Sequence, residues 1–429
     1  MNTAFLGCAQ ANITPAAPVQ TIGFGRADEW SRGVLSPLEA QAAVWEMDGE
    51  ACCLVTVDHI GFSSAHALAL REEIGRAVGS GPDRVMLCFS HTHSAPNDSI
   101  ETDWYASVRE KLIAAVREAS ARKAPVLAAW GNAQADIGVN RRAENQALDR
   151  RVGILKVTGA GGELKLLVLR VTAHCNVLKA DNYRLSPDFF GAVRDMLQER
   201  YGCPVMVTQG ASGNVAPRFF LSETTPVDAA DPLRFVRSET ALRDMAAEVL
   251  RAVEGVLDAL VPGPVDKMGM YSAFQTLEAD VPSLERALSI SEEARREAGI
   301  DGVAWLSEVR RLIVAGVQTQ TERVEIQYFF INGGCLCGVP NEIMCEFALR
   351  ASEALRCDTF YLGGYTNGCT GYFPTEEEYD KGGYEVYWSM LIYYISHGRV
   401  ASLNRDSASE LIREAVRNAP EPIRRCEMP

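Results

Sequence analysis

The chain has 429 residues, of which 47% are apolar, so it can bury a large globular core. It carries 42 basic and 56 acidic residues, which give a net charge of −14. Such a surface repels nucleic acid and anionic membranes, so we expect neither a nucleic-acid partner nor stable membrane association. We expect a small-molecule substrate, and the sequence leaves the oligomeric state open.

The amino terminus and the cysteines predict a location. Residues 1–8 lack the basic and long apolar segments of a signal peptide, and no run reaches membrane-spanning length. The 12 cysteines are scattered and mostly lie in apolar segments, as buried thiols do. Cys335 and Cys337 could bind a soft metal, but no second pair has zinc-finger spacing, so we interpret them as structural. We expect a cytoplasmic protein.

Strands alternate with helices in the first half of the chain. Strands are predicted at 4–14, 40–47 and 51–57, and a helix at 63–79 leads to a short apolar strand at 85–89. A helix at 103–122 then precedes strands at 125–132, 151–158 and 164–172. Residues 51–89 have the βαβ pattern of a parallel pair, whose second strand ends where α/β sheets bind ligands.

The second half continues this mixture. A helix at 186–201 and a strand at 204–208 precede a proline-bearing connector at 222–231. The remaining predicted segments are helices at 237–258, 282–299, 302–316 and 407–418, and strands at 268–280, 322–332 and 358–363. The pattern predicts an α/β fold with mixed β-sheets flanked by helices, and a functional site at the carboxyl ends of strands.

Histidines follow two of the predicted strands. Two of the six histidines, His91 and His93, lie in one tripeptide after the strand at 85–89. If the backbone stays extended, their rings share one face and could reach one metal ion. A pair of hydrogen-bonded histidines without a metal is the alternative that these residues leave open. His174 follows the strand at 164–172 in the same way.

The stretch around the first two histidines resembles a known signature. It reads Ser90-His91-Thr92-His93-Ser94-Ala95-Pro96 and is similar to the Ser-His-Thr-His-Ser-Gly-Pro motif of neutral ceramidases. These are zinc amidases that split the N-acyl bond of ceramide. Further matches follow in the same order to about residue 390. The resemblance implies one ceramidase-like catalytic domain over residues 1–429, without the family's C-terminal immunoglobulin-like domain.

The resemblance also implies a zinc site with ligands from four separate stretches, which are His91, His174, Glu342 and Tyr372. Imidazole nitrogen and carboxylate oxygen suit zinc, and such a site leaves a position for water. Zinc then supplies hydroxide at neutral pH and polarises a carbonyl, which is the chemistry of hydrolysis. For Glu342, an acidic residue in the first turn of a helix is the structural alternative.

Other residues are implied to act without binding the metal. His93 would serve as general base and then as acid toward the leaving amine, while Arg141 and Tyr384 would stabilise the oxyanion. For Arg141, a surface Arg-Arg pair with Arg142 is the alternative. The family has an active-site serine where this chain has Ala216, whose side chain can neither attack nor donate a hydrogen bond.

These residues predict a zinc-dependent amidohydrolase that cleaves an amide C–N bond. Ala216, the expected lack of a C-terminal domain and the cytoplasmic location favour an alternative, a hydrolase of small polar lactones, esters or cyclic amides. A non-catalytic metal-binding relative is a third alternative. Zinc content separates the third alternative from the first two, and a panel of substrates separates those two from each other.

Overall fold

A computed structural model describes residues 3–26, 28–142, 144–218 and 234–425, with the side chains of 234–238 excepted. Several mixed sheets are flanked by helices, which confirms the predicted α/β class. The connector predicted at 222–231 lies outside the described residues. Across the described ranges, no helix combines the length and the apolar character needed to span a bilayer.

The first sheet carries the strand that precedes the signature histidines. Its order is β5 (Val85–Phe89), β4 (Glu50–Val57), β3 (Glu39–Met47), β1 (Phe5–Asn12) and β7 (Ala124–Pro125). β4 and β5 are parallel and are connected by the helix Ser64–Val78, so the predicted βαβ unit is present. Ser63 caps this helix and Gly79, in the left-handed conformation, ends it.

The second sheet carries the strand that leads to His174. Its order is β12 (Val205–Gln209), β11 (Leu164–Val171), β10 (Arg151–Thr158) and β8 (Leu127–Gln134). β10 and β11 form the predicted antiparallel hairpin, and β11 runs parallel to β12. Because β11 and β12 are parallel, the loops that follow them leave the sheet at the same edge.

The third sheet has the order β14 (Met268–Asp280), β15 (Thr319–Ile331), β16 (Gly334–Gly338) and β18 (Phe360–Gly363). β16 was not predicted. It contains Cys335 and Cys337, both buried free thiols, as the structural interpretation of this pair expects. β16 and β18 are parallel, so the loops beyond them also share one edge.

The three sheets share one core. Trp45 of β3, Leu155 of β10 and Phe329 of β15 belong to a single cluster of buried apolar side chains. The rings of Trp45 and Phe329 are in contact, with centroids 5.8 Å apart. Burying apolar faces from all three sheets in one cluster fixes their relative positions.

Among the residues that the structure describes, three short strand pairs lie beyond the main sheets and join distant parts of the chain. They are β2 (Thr21–Ile22) with β6 (Ala95–Pro96), β9 (Gly138–Asn140) with β13 (Val215–Pro217), and β17 (Glu342–Ile343) with β19 (Tyr372–Phe373). Each pair includes or lies within two residues of a residue that the sequence analysis placed in the site. These pairs therefore position the loops that follow the larger strands.

Helices cover the outside of the sheets. Besides Ser64–Val78, the described residues contain the helices Thr102–Ala121, Asp188–Tyr201, Arg234–Ala259, Leu284–Ala298, Val303–Val314, Cys345–Leu355, Glu376–Lys381, Met390–His397, Ser407–Arg417 and Glu421–Arg424. A π-helical turn, Tyr384–Trp388, precedes the helix Met390–His397. The two helices predicted at 282–299 and 302–316 are present as Leu284–Ala298 and Val303–Val314, and they bury Trp305 in one cluster with Leu391 and Val400. It therefore supports the segment that follows Tyr384.

Candidate metal centre

The strand-end histidines meet in a buried cluster. The Nε2 atom of His174 lies 3.1 Å from Nε2 of His91 and 3.2 Å from Nε2 of His93. All three histidines are buried, and at most 9% of any of them is exposed. The three offer ligand atoms within 4.8 Å of one another, so together they could hold one metal ion.

The extended backbone that we considered for the signature is not present. His91 has φ 63°, in the left-handed region, so the chain turns soon after β5. This conformation costs a non-glycine residue about 1–2 kcal/mol and is found at functional sites that the surrounding structure holds in place. The rings of His91 and His93 stand at 88° to each other. The turn, and not strand periodicity, aims both rings at one point.

The second ring nitrogen of each histidine faces a backbone carbonyl. The Nδ1–oxygen pairs join His91 to Ile60 (2.7 Å), His93 to Gly23 (2.9 Å) and His174 to Ser212 (3.4 Å). Because a carbonyl can only accept, Nδ1 carries the proton and Nε2 presents a lone pair. Three lone pairs facing one another repel unless a cation lies between them, so the donor set fits a metal ion.

Burial keeps two of these rings neutral. It lowers the pKa of His93 well below its usual value, and the nearby His91 lowers it further. Burial also lowers the pKa of His174 well below its usual value, and Arg141 and His91 add to the shift. Neutral imidazole is the form that binds a metal.

Glu342 adds a carboxylate to the cluster. Its Oε2 lies 3.2 Å from Nε2 of His91, and its Oε1 accepts a hydrogen bond from the Tyr393 hydroxyl at 3.0 Å. Burial raises the pKa of Glu342, but His91 and Arg141 outweigh burial, and the net shift is downward. Glu342 lies in β17, and the next helix begins at Cys345, so a place in its first turn is ruled out.

Tyr372 lies beside Glu342 because the two residues are opposite each other in the parallel pair β17–β19. Nη1 of Arg141 donates a hydrogen bond to the Tyr372 hydroxyl at 3.1 Å and lies 3.4 Å from the carboxylate of Glu385. The ring of Tyr384 contacts that of Tyr372, with centroids 5.8 Å apart. The structure thus groups Tyr372, Arg141 and Tyr384 on the Glu342 side of the cluster, and Arg141 is only partly exposed and pairs with these side chains.

The strand β13 links Arg141 to the second sheet. The backbone N–H of Arg141 donates to Asn214 at 2.8 Å, and that of His174 donates to Val215 at 2.8 Å. Ala216 is paired with Val139 of β9 and adds no polar side chain. Two consecutive carbonyls, those of Asn214 and of Val215 at the start of β13, therefore hold the backbone of the arginine and of the third histidine in place.

Known proteins share this arrangement of strands and helices. No protein-family model and no curated protein matches the sequence. A crystal structure of neutral ceramidase from Pseudomonas aeruginosa has a TM-score of 0.68 at 19% identity, covering 96% of this chain and 75% of that chain. A ceramidase complexed with C2 has a TM-score of 0.69 at 19% identity, covering 97% and 74%. The chain has the neutral ceramidase fold.

Within this ceramidase fold, two tyrosines that the sequence analysis did not single out contact the cluster. The ring centroid of Tyr365 lies 4.2 Å from that of His91, and Tyr393 donates to Glu342. Tyr365 comes directly after Gly364 at the carboxyl end of β18, so the rule that found the histidines could also have found it. Tyr393 lies within the helix Met390–His397, where no motif marks it.

A cavity of about 340 Å³ opens beside the centre of the ceramidase fold. Phe24 lines it near His93, while Cys369, Tyr384 and Tyr393 line it near Glu342. Small-molecule sites usually enclose about 300–1,000 Å³ and combine apolar walls with a few polar groups. The cavity therefore has the size and lining that a small-molecule substrate needs.

Proposed function

We propose that the protein is a zinc-dependent hydrolase that cleaves an amide (N-acyl) C–N bond. The observation that carries the proposal is the convergence of three buried Nε2 atoms beside the carboxylate of Glu342. Nitrogen and oxygen donors of this kind suit zinc. The ceramidase fold supports the choice of an amide as the bond that is cleaved.

The proposed zinc ligands are His91, His174, Glu342 and Tyr372. When bound there, zinc would lower the pKa of a water molecule to about 7 and polarise a substrate carbonyl. Burial raises the pKa of the Tyr372 hydroxyl well above its usual value, while Arg141 opposes that shift. Arg141 therefore favours the phenolate form, which is the form a metal would bind.

The proposed proton carrier is His93. Its Nδ1–H is held by the carbonyl of Gly23, so its Nε2 can accept a proton from the attacking water and return it to the leaving amine. Arg141 and Tyr384 contact Tyr372 and would donate to the developing oxyanion. Nε2 of His174 is almost equally close to Nε2 of His91 and to Nε2 of His93, so the assignment of ligand and base between these two histidines rests on the family resemblance.

Two variants test the separation of ligand from base. His91→Ala should lose both zinc and activity, because a site that lacks one ligand binds its metal poorly. His93→Ala should keep its zinc and lose roughly 10²–10⁴-fold in kcat, the usual contribution of general acid-base catalysis. Metal analysis and turnover of a panel that includes a short-chain ceramide, an N-acyl amino acid and a lactone give both readouts.

The matched control is His66→Ala. His66 pairs with Asp98 at 2.7 Å and is not a member of the three-histidine group, so this variant should keep both zinc and turnover. If His93→Ala loses its zinc while His91→Ala keeps it, His93 is the zinc ligand and His91 is the general base. Full zinc and normal turnover in both variants would contradict the proposed hydrolase.

A further inference from the structure

The Tyr365 hydroxyl lies between a serine and the carboxylate of the centre. Tyr365 and Ser212 are both fully buried. The Ser212 hydroxyl donates to the Tyr365 oxygen at 3.1 Å, and the Tyr365 hydroxyl lies 3.5 Å from Oε2 of Glu342, toward which it donates. The Ser212 hydroxyl is therefore already used as a donor to Tyr365 within the core. It does not take the place of the active-site serine for which this chain has Ala216.

The same pair contacts three of the groups that converge at the centre. The ring of Tyr365 packs against the ring of His91 at 4.2 Å. The backbone oxygen of Ser212 accepts from Nδ1 of His174 at 3.4 Å. The other oxygen of Glu342 is held by Tyr393 at 3.0 Å, so hydroxyl groups approach both carboxylate oxygens. Tyr365 and Ser212 thus contact His91, His174 and Glu342.

The backbone of Tyr365 is strained. Its φ is 54°, in the left-handed region, which costs an aromatic residue about 1–2 kcal/mol. Its carbonyl accepts from the backbone of Phe89, the last residue of β5, at 3.0 Å. Its own N–H donates to Asn341, which precedes Glu342, at 3.4 Å. The strained residue therefore ties the strand before His91 to the loop that carries Glu342.

We propose that Tyr365 is a positioning residue whose hydroxyl, supported by Ser212, orients Glu342 and its neighbouring histidines toward one cation. The inference rests on the proposed metal centre. A phenylalanine would fill the same space and contact His91 equally well, so packing alone does not need the hydroxyl. Groups that hold metal ligands in place typically change metal affinity by about 10–100-fold when they are removed.

The test is the zinc affinity of Tyr365→Phe, measured by competition with a chromophoric chelator. We expect zinc to bind 10–100-fold more weakly than in the wild type. We also expect the absorption spectrum of the cobalt-substituted protein to change, because a reoriented carboxylate alters the ligand geometry. Neither readout depends on activity or on the identity of the substrate.

Tyr328→Phe is the matched control. Tyr328 is also fully buried, and its hydroxyl donates to the carbonyl of Ala415 at 2.9 Å, which is not one of the groups that converge at the centre. This variant loses a buried hydroxyl of the same kind but should keep wild-type zinc affinity and an unchanged cobalt spectrum. It separates a loss of positioning from a general loss of stability.

Ser212→Ala supplies a second, independent arm. We expect weaker zinc binding than in the wild type, and a double variant with Tyr365→Phe that binds no more weakly than Tyr365→Phe alone, because both hydroxyls act through one relay. If Tyr365→Phe does not fold, wild-type zinc affinity in Ser212→Ala overturns the inference.

The outcomes distinguish this inference from the function on which it rests. A wild-type protein that binds no zinc overturns both. A wild-type protein that binds zinc, with unchanged affinity and cobalt spectrum in Tyr365→Phe, overturns only the role of Tyr365.

Discussion

Gly23→Ala tests how the proposed base is held in place. Gly23 has φ 119°, a conformation that side chains rarely adopt, and an added Cβ would lie 2.8 Å from both Cβ and Cγ of His93. Carbon atoms in contact normally stand about 3.5–4.0 Å apart, so the ring and the loop must separate by roughly 1 Å. A displacement of about 1 Å at a reacting group costs on the order of 10²-fold in rate. We therefore expect kcat to fall about 100-fold while zinc is retained.

The control for this prediction is Gly33→Ala. Gly33 also has a positive φ, 101°, but an added Cβ there meets no atom within 4 Å. Both variants should lose a similar free energy of unfolding through backbone strain, about 1–3 kcal/mol, which urea unfolding measures. Only Gly23→Ala should also lose kcat in a steady-state assay with metal content checked. Equal kcat in the two variants would refute the argument that the position of His93 depends on this glycine.

Two further predictions concern buried carboxylates. Burial raises the pKa of Asp188 to about 6. The pKa of an aspartate in the unfolded chain is about 3.9. The stability that Asp188 contributes is therefore fully present below about pH 4 and is lost as the pH rises through 6, which lowers the free energy of unfolding by about 3 kcal/mol. Urea unfolding at pH 4 and at pH 7 measures this: between the two pH values the wild type should lose about 3 kcal/mol more unfolding free energy than Asp188→Asn does. If the difference in unfolding free energy between the two proteins is the same at both pH values, the raised pKa is contradicted. Asp58 pairs with buried Arg194 at 2.9 Å, and Asp58→Ala should cost about 3–5 kcal/mol of unfolding free energy, toward the lower value because Glu39 remains 3.2 Å from the same guanidinium. A loss below about 1 kcal/mol, as for an exposed pair, would show that the remaining glutamate replaces it.

Local pattern was enough for most strands and helices. β5 lies at Val85–Phe89 as predicted, because a run of five apolar residues between turn signals is shorter than most helices and favours a buried strand. The hairpin β10–β11 was also found, since its glycine-rich turn separates two apolar runs. β16 was missed because two of its five residues are glycines, so its identity as a strand depends on pairing with β15 and β18.

The candidate site was predictable in part. The strand-end positions of His91 and His174 follow from the apolar runs before them, while the choice of Glu342 and Tyr372 rested on the family resemblance. The structure places Glu342 3.2 Å from His91 and opposite Tyr372 in a strand pair. The position of Tyr365 just beyond a strand end was open to the same rule, but its left-handed backbone and the direction of its hydroxyl depend on tertiary contacts that no local pattern encodes.

The sequence by itself determined which residues end strands and which donor atoms they carry, because alternation and apolar runs depend on neighbours in the chain. Tertiary structure decided that these donors meet. His91 and His174 are 83 residues apart, yet their Nε2 atoms lie 3.1 Å from each other. That distance depends on three sheets burying their faces in one core and on a left-handed turn at His91. The turn is strained by itself and is stabilised only by contacts with segments far away in the chain.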